Sequence, residues 1–600
     1  MGFLSEIKRR NVLRMALLYG LAAWLVMQVA DVVIGLATLP PWAGQAVLGV
    51  LAIGFPIALV FAWVYEITPE GIKLEKDVDR SASMTEVTGR RMDFIVIAVL
   101  AAAVIVFAFD KWWLAPGNAF RPPPNSIAVM AFANMSPDPD QEFFSDGISE
   151  ELLSLLAKIP ELRVISRTSA FSFKGKDVKL TDVARELNVA HILEGSIRKT
   201  GDQVRITAQL IDTQTDTHLW SETYDRTLDD IFVIQDEIAA TVVNKLKVTL
   251  LGAAPMTDET DPQAYALYLQ GRFLSRQGTP ENWEQAIAMF EQALAIDPEY
   301  PAAWVGLANV YGRQADNSLR PVEEGYALSS GAANRALEIN PDYAPAHSRL
   351  GWIAMHNQGD LALAARHYQR ALELDPADTG ILFSAASLAE SLGRLEQAIA
   401  LEEYALARDP LDPVAHNNQG DSYLSAGRFD EAITAFRTAL TLSPGYIGAN
   451  YRIGVALLLK GEPEAALEAM QQEPFRAWRL IGLAMAYSAL ERQAESDAAL
   501  AELIDDYEQD AAYNIAYVIA FRGETDRAFA WLDKAVEYND PGLAEIVNEP
   551  LFASIRSDPR WIPFLEQIGK APQQLAPIEF EVWPAGHARS PDLPTANGRR

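Results

Sequence analysis

The 600-residue chain has no cysteine, which removes disulfides, thiolate zinc sites, iron–sulfur clusters and thiol catalysis together. Its seven histidines are scattered, without the HExxH or HxxxH spacing that presents two ligands on one helix face. Positive charge is scarce too: 50 Lys and Arg face 80 Asp and Glu, a net −30 that repels nucleic acid phosphates along most of the chain. No nucleic-acid partner, metal or cofactor is expected. Lys174-Gly175-Lys176 lacks the preceding glycine and following Ser or Thr of a phosphate-cradling loop, and no nucleophile elbow or dinucleotide-binding glycine pattern occurs. Thr168 and Ser169 have no histidine near them in sequence, so a hydroxyl nucleophile there lacks a base. No catalytic residue is expected, and the chain reads as a non-enzyme.

What is present is unevenly spread. Residues 1–125 hold 11 basic and 10 acidic side chains, 126–252 hold 13 and 20, and 253–600 hold 26 and 50. Three regimes follow.

In the first, 12–36 and 42–65 are apolar runs, each long enough for a ~30 Å hydrocarbon core at ~1.5 Å per residue. A third run, 94–114, is shorter in strongly apolar residues but gains length from Lys111, Trp112 and Trp113 at its end. These runs predict a membrane anchor of three transmembrane helices over 1–114, with the lipid bilayer as a partner. Lys8, Arg9, Arg10 and Arg14 precede or enter the first run, and Lys73, Lys76, Arg80, Arg90 and Arg91 separate the second from the third, while 38–41 has no basic residue. The positive-inside rule then places the amino terminus in the cytoplasm and everything after Trp113 outside. The expected location is the bacterial inner membrane, with the later domains periplasmic. A cleaved signal peptide is the alternative for the first run, which exceeds the ~7–15 residues of a signal-peptide core. Asp31 reads as an interfacial carboxylate.

A proline-rich hinge over 115–125 leads into 126–252. Here 126–132 (SIAVMAF) reads as a buried strand, 148–157 as a helix with Ile148, Leu152, Leu155 and Leu156 on one stripe, and 163–167 as a second strand. A short helix over 181–187 capped by Thr181 follows. Strands at 191–199 and 204–212 pair through Thr200-Gly201-Asp202, a fifth is marked by Trp220 and Tyr224, and 231–246 closes the domain as a helix. The order implies an α/β domain with a mixed sheet. Asp138, Asp140, Glu142 and Asp146 cluster, but Phe143 stands where a calcium-binding loop requires glycine.

The strings SIAVMAFANMSPDPDQEFFSDGISEELL, RVISRTSAFSFKG, LEGSIRKTGDQVRITAQLID and HLWSETYDR resemble the TolB-like domain of bacterial membrane proteins that carry tetratricopeptide repeats. The resemblance implies an envelope protein-interaction domain. In related architectures this unit follows a DNA-binding winged helix or a nucleotide cyclase domain; with about eleven residues before the first apolar run, neither output is expected here.

From 262 to 574 the chain repeats. Gly359, Gly393, Gly427 and Gly461 are 34 residues apart, as are Ala364, Ala398, Ala432 and Ala466, which is the tetratricopeptide period. Glycine closes the turn after a first helix, alanine lets neighbouring helices approach, and Asp375-Pro376, Asp409-Pro410 and Ser443-Pro444 stop the second helix. Glu402 and Met470 stand where other repeats place an aromatic residue, which predicts looser packing there. The period blurs beyond Pro474 and resumes over 512–541. Seven or eight helix pairs are expected, followed by a disordered tail over 575–600.

The chain is thus read as a multidomain protein: three transmembrane helices, an α/β mixed-sheet TolB-like domain, and an all-α tetratricopeptide superhelix. Such an array takes proteins or peptides on its concave face. The fold resembles the tetratricopeptide family, whose carboxylate-binding members place Asn and then Arg at one inner position of successive first helices. That resemblance points to Asn418 and Arg452, with Arg349 two repeats earlier, as the peptide-binding residues; the usual lysine is replaced by Gly448. The expected function is a periplasmic scaffold or adaptor, and the alternative is a sensory subunit relaying periplasmic binding to a cytoplasmic partner.

Overall fold

The computed structural model of the chain describes residues 42–68, 71–74, 121–246 and 259–584, with isolated positions between 12 and 27. It divides into two compact units, Met1–Phe120 and Arg121–Arg600.

In the first unit, the three expected transmembrane helices require correction: among the described residues no helix is long and apolar enough to cross a membrane. The run at 94–114 lies outside the described residues, and 12–36 is described only at isolated positions. The run at 42–65 does form a helix, Trp42–Val64, with Pro56 inside it. The chain then turns directly into an antiparallel hairpin of Tyr65–Thr68 with Gly71–Leu74. An apolar run is a matter of composition, whereas a span needs an unbroken apolar helix of ~20 residues. Among the described residues no helix supports the lipid bilayer as a partner.

The second unit opens with the mixed sheet. Ser126–Val129 is buried at every position because it lies between parallel neighbours, Arg163–Val164 on one side and His191–Thr200 on the other; a central parallel strand has no solvent face, so its sequence does not alternate. His191–Thr200 runs antiparallel to Gln203–Asp212, which pairs with Thr217–Thr227. Val204, Ile206, Ala208 and Leu210 alternate into the core, as the two-residue repeat of a half-buried strand requires. Glu142–Ala157 and Ile231–Leu246 pack the sheet with Ile148, Leu152, Ile231 and Ile238 fully buried. The short helix is Leu180–Leu187 and starts after Lys179, without the side-chain cap expected from Thr181.

Eight helix pairs follow, from Pro262–Arg276 with Pro280–Ile296 to Ala512–Phe521 with Thr525–Glu537. Gly359, Gly393, Gly427 and Gly461 close their turns at φ between +67° and +81°, a region that penalises a side chain. The stretch where the period blurs is a regular pair, Arg476–Ala489 with Gln493–Tyr507. Its turn is made by Glu491 at φ +58°, so the glycine that marks the period is missing while the geometry is kept. Met470 fills its aromatic position without loosening: it is fully buried, in space left by Gly454 and Gly482. After the last pair come short turns and the helices Trp561–Gln567 and Pro572–Leu575. After a turn at 576–577, residues 578–584 follow without helix or strand and with Phe580 fully buried, so the described chain is packed well past the point where disorder was expected to begin; 585–600 lie outside the described residues.

Candidate protein-binding surfaces

The three residues singled out for carboxylate capture have different surroundings. Asn418 is exposed, and the amide that turns inward is its neighbour Asn417, 4% exposed. Arg349 donates from Nε to Ser329 Oγ at 2.9 Å and lies over the Tyr326 ring. Arg452 is engaged: its Nε donates to Asp421 Oδ1 at 2.5 Å, and its guanidinium sits 5.7 Å from the Trp478 ring centre. Gly448 makes room for it, since a Cβ there would meet the guanidinium at 2.5 Å. The side chain expected to receive an outside carboxylate already holds an internal one.

Asp421 and Glu545, which face Arg452, belong to a longer acidic wall. Glu390 comes from Thr379–Ser391, Glu402 from Leu395–Leu406, and Asp421 with Ser422 from Pro413–Ser425; Glu545 and Glu549 approach from the turns after Thr525–Glu537. Ser422 Oγ donates to Glu390 Oε1 at 2.7 Å, and Asn417 Nδ2 donates to Asp421 Oδ2 at 3.2 Å. Burial, reinforced by Asp421 and Glu545, raises the Glu390 carboxyl to about 8, and burial raises Glu549 to about 7. Burial followed by the nearness of Glu390 holds Glu402 well above the usual carboxylate range. Asp421 and Glu545 are raised as well, again chiefly by burial. A wall of carboxyls with few counter-ions stores protons, and it gains charge stabilisation from any cation that enters. Glu402 was legible as a departure from the aromatic pattern; that it faces other acids was not, because they come from three other segments.

The array also holds a protein surface already, the sheet domain of its own chain. One apolar cluster runs from Ile127 and Phe144 through Tyr265 to Phe290, and Phe232 meets Tyr265 edge to face at 4.9 Å. Beside it Glu150, 6% exposed, receives Arg272 and Arg276 of the first repeat helix, with Arg167 Nε 3.2 Å away. Burial alone would raise the Glu150 carboxyl, but these three arginines hold it below the usual range. A second contact lies much further along the chain. Ser169 donates through both its hydroxyl and its backbone N–H to Asp409 Oδ1, at 2.6 and 3.1 Å, and its Oγ accepts from the Leu411 N–H at 2.8 Å. The Ser166 N–H donates to the Arg408 carbonyl at 2.7 Å. The partner of the Ser169 hydroxyl is therefore an acid at a repeat boundary. Between the two contacts lies a cavity of about 700 Å³ lined by residues of both parts, among them Glu151, Arg167, Tyr268, Arg313 and Asp378.

The acidic cluster read at the start of the sheet domain is a set of local contacts: Asp138 caps the turn Pro139–Gln141, and Lys174 Nζ lies 2.5 Å from both Glu142 and Asp146. Among the described residues no group of three His, Asp or Glu side chains is placed to hold a metal.

Residues 324–379, 357–413 and 417–479 match a family described as tetratricopeptide repeat, and 281–314 match a second repeat model of the same kind. A Rhizobium meliloti (strain 1021) protein named "Putative adenylate cyclase 3" is 43% identical over 202 residues, 32% of this chain and 34% of that protein. "Photosystem I assembly protein Ycf3" of Cuscuta gronovii is 35% identical over 118 residues, 16% of this chain and 69% of that protein. "Hsp70-Hsp90 organizing protein" of Triticum aestivum is 32% identical over 130 residues, 21% of this chain and 18% of that protein. The chain spans about a third or less of the first curated relatives it matches. Among solved structures, "Human IFIT1 dimer with m7Gppp-AAAA" is 17% identical with a TM-score of 0.31, over 51% of this chain and 77% of that one.

Proposed function

Because this chain belongs to the tetratricopeptide-repeat proteins, we propose that it works as a protein-binding scaffold whose acidic wall recognises basic segments of its partners. The observation that carries this reading is the gathering of Glu390, Glu402, Asp421, Glu545 and Glu549 into one group of acids, of which Asp421 and Glu545 face the guanidinium of Arg452. The net −24 of residues 253–600 supports it at longer range by steering cations toward the array. The wall is open to a ligand at Asp421 and Glu545, which reach solvent, while Glu402 stays buried behind them.

The defined probe is a fluorescent peptide alternating Arg with Ser, beside a control with Gln for Arg. The basic peptide binds the full chain, its affinity falls as salt rises, and Asp421→Asn with Glu545→Gln weakens it about tenfold, as loss of charge-assisted hydrogen bonds requires. Equal binding of the two peptides sinks the acidic-wall reading.

The sheet domain is proposed as a TolB-like interaction module, on the strength of the four strings quoted above. Its own activity is proposed to be binding, not catalysis. The likeness to a protein named as an adenylate cyclase favours a second reading, in which the chain makes a cyclic nucleotide. Purified chain incubated with ATP and magnesium separates the two: no cyclic AMP is expected, and steady formation would make the protein an enzyme.

A further inference from the structure

We propose that Arg394 and Gln397 form a docking site for an extended peptide with apolar residues at alternate positions, and that residues 578–582 of this chain occupy it as a tethered competitor. Arg394 Nη1 donates to the Phe580 carbonyl at 2.7 Å, and its Nη2 donates to the Ile578 carbonyl. Gln397 Nε2 donates to the carbonyls of Phe580 at 3.1 Å and Val582 at 2.9 Å. Carbonyls taken from every second residue are those on one edge of an extended strand. The same spacing puts Ile578, Phe580 and Val582 on one face, where they join the apolar cluster containing Ala385, Ala398 and Leu401, while Glu579 and Glu581 point outward as exposed side chains.

Two features make this a binding site and more than a packed terminus. All four hydrogen bonds go to backbone, so the donors read an extended conformation with little dependence on sequence, as in other modes that capture a strand through its main chain; the one specific demand is a large apolar side chain in the pocket of Phe580. The receptor side is also built to stay in place: Arg394 immediately precedes the helix Leu395–Leu406 and Gln397, 5% exposed, sits in its first turn. Within 578–582 the occupant has one fully buried side chain, that of Phe580, so opening it locally exposes little. Only Ala576 and Pro577 separate it from the helix Pro572–Leu575, a tether short enough for an effective concentration on the order of mM. A free segment of the same pattern is shut out until the strap is released.

The test uses the full chain and a labelled peptide of residues 576–584, APIEFEVWP. Phe580→Ala in the chain loosens the strap and should raise affinity for the peptide at least tenfold over wild type. Gln397→Ala added to that variant should remove most of the gain, and a peptide with Ala for its Phe should bind neither chain. Val582→Asp, at a partly buried position, releases the strap without emptying the Phe580 pocket in the receptor, and should also raise peptide binding; circular dichroism and thermal melting confirm that each variant is folded. Peptide affinity in folded Phe580→Ala and Val582→Asp no higher than in wild type overturns the proposal, as does a gain that survives Gln397→Ala.

Discussion

Arg452 shows what one residue does when its neighbours are counted. As a concave-face arginine waiting for a ligand it would contribute little to stability, but its pairing with Asp421 means that removing it strands a carboxylate in a wall of carboxylates. Arg452→Ala should therefore lower stability by about 1–3 kcal/mol, and Asp421→Asn in the same chain should restore part of it; urea denaturation of the two variants and the double variant measures both. Glu390 gives the complementary case. Its carboxyl titrates near 8 in the folded chain against an ordinary 4.5, so the folded state binds the proton more tightly. Its contribution is fully present below pH about 4.5 and is lost as pH rises through about 8. Wild type should lose stability across that window relative to Glu390→Gln, and the difference between their urea midpoints at pH 5 and pH 8.5 reads the effect of Glu390 together with its influence on Glu402. A difference that does not change sign-consistently with pH would mean that Glu390 is ionised throughout.

At the scale of the helix pair, the turn decides the period and the packing decides the residue types. Glu491 adopts the left-handed conformation that glycine supplies in the matching turns, which costs a side-chain-bearing residue about 1 kcal/mol. Glu491→Gly should raise the melting midpoint by an amount equivalent to about 0.5–1 kcal/mol, less than the full strain because glycine also frees the unfolded chain. Gly420→Ala has the opposite sign: a Cβ there would meet the Phe436 ring at 2.4 Å, and overpacking a filled helix interface costs about 1–3 kcal/mol. Both follow from differential scanning calorimetry of single variants. The pair at Glu491 also explains why the repeat faded from the sequence there: the strongest marker of the period is a residue whose job a strained glutamate performs.

Across the whole molecule, the sheet domain and the repeats share one apolar cluster and are pinned at two places, Glu150 on the first repeat helix and Ser169 on the boundary at Asp409. Arg272→Ala leaves Glu150 buried with less counter-charge, a loss in the range of about 3–5 kcal/mol for a broken buried pair. Hydrogen exchange should then rise together over 142–157 and 262–276, elements far apart in sequence, while 512–537 keeps its protection. Exchange confined to 262–276 would show that the two parts are held independently. Because the arginines depress the Glu150 carboxyl, this contact is present above pH about 4.5 and is lost as pH falls through the lower folded value, opposite in sense to the acidic wall.

The sequence by itself determined the local structure: the hairpin of the sheet domain, the 34-residue period, the glycine turns and the buried alanines all follow from interactions between residues close along the chain. It also showed Glu402 as an exception to its repeat and Asp409-Pro410 as a helix stop. Only the tertiary structure decided what those residues face. Glu402 looks at Glu390 and Arg452's partner Asp421, Asp409 receives Ser169 from 240 positions away, and Arg394 holds a strand from beyond the last repeat. The apolar runs near the amino terminus mark the same limit from the other side, since hydropathy reads composition while a membrane span is a property of a continuous helix. Periodicity records which face of an element turns inward; which charges meet there depends on how distant segments are brought together, and no pattern within one repeat encodes that.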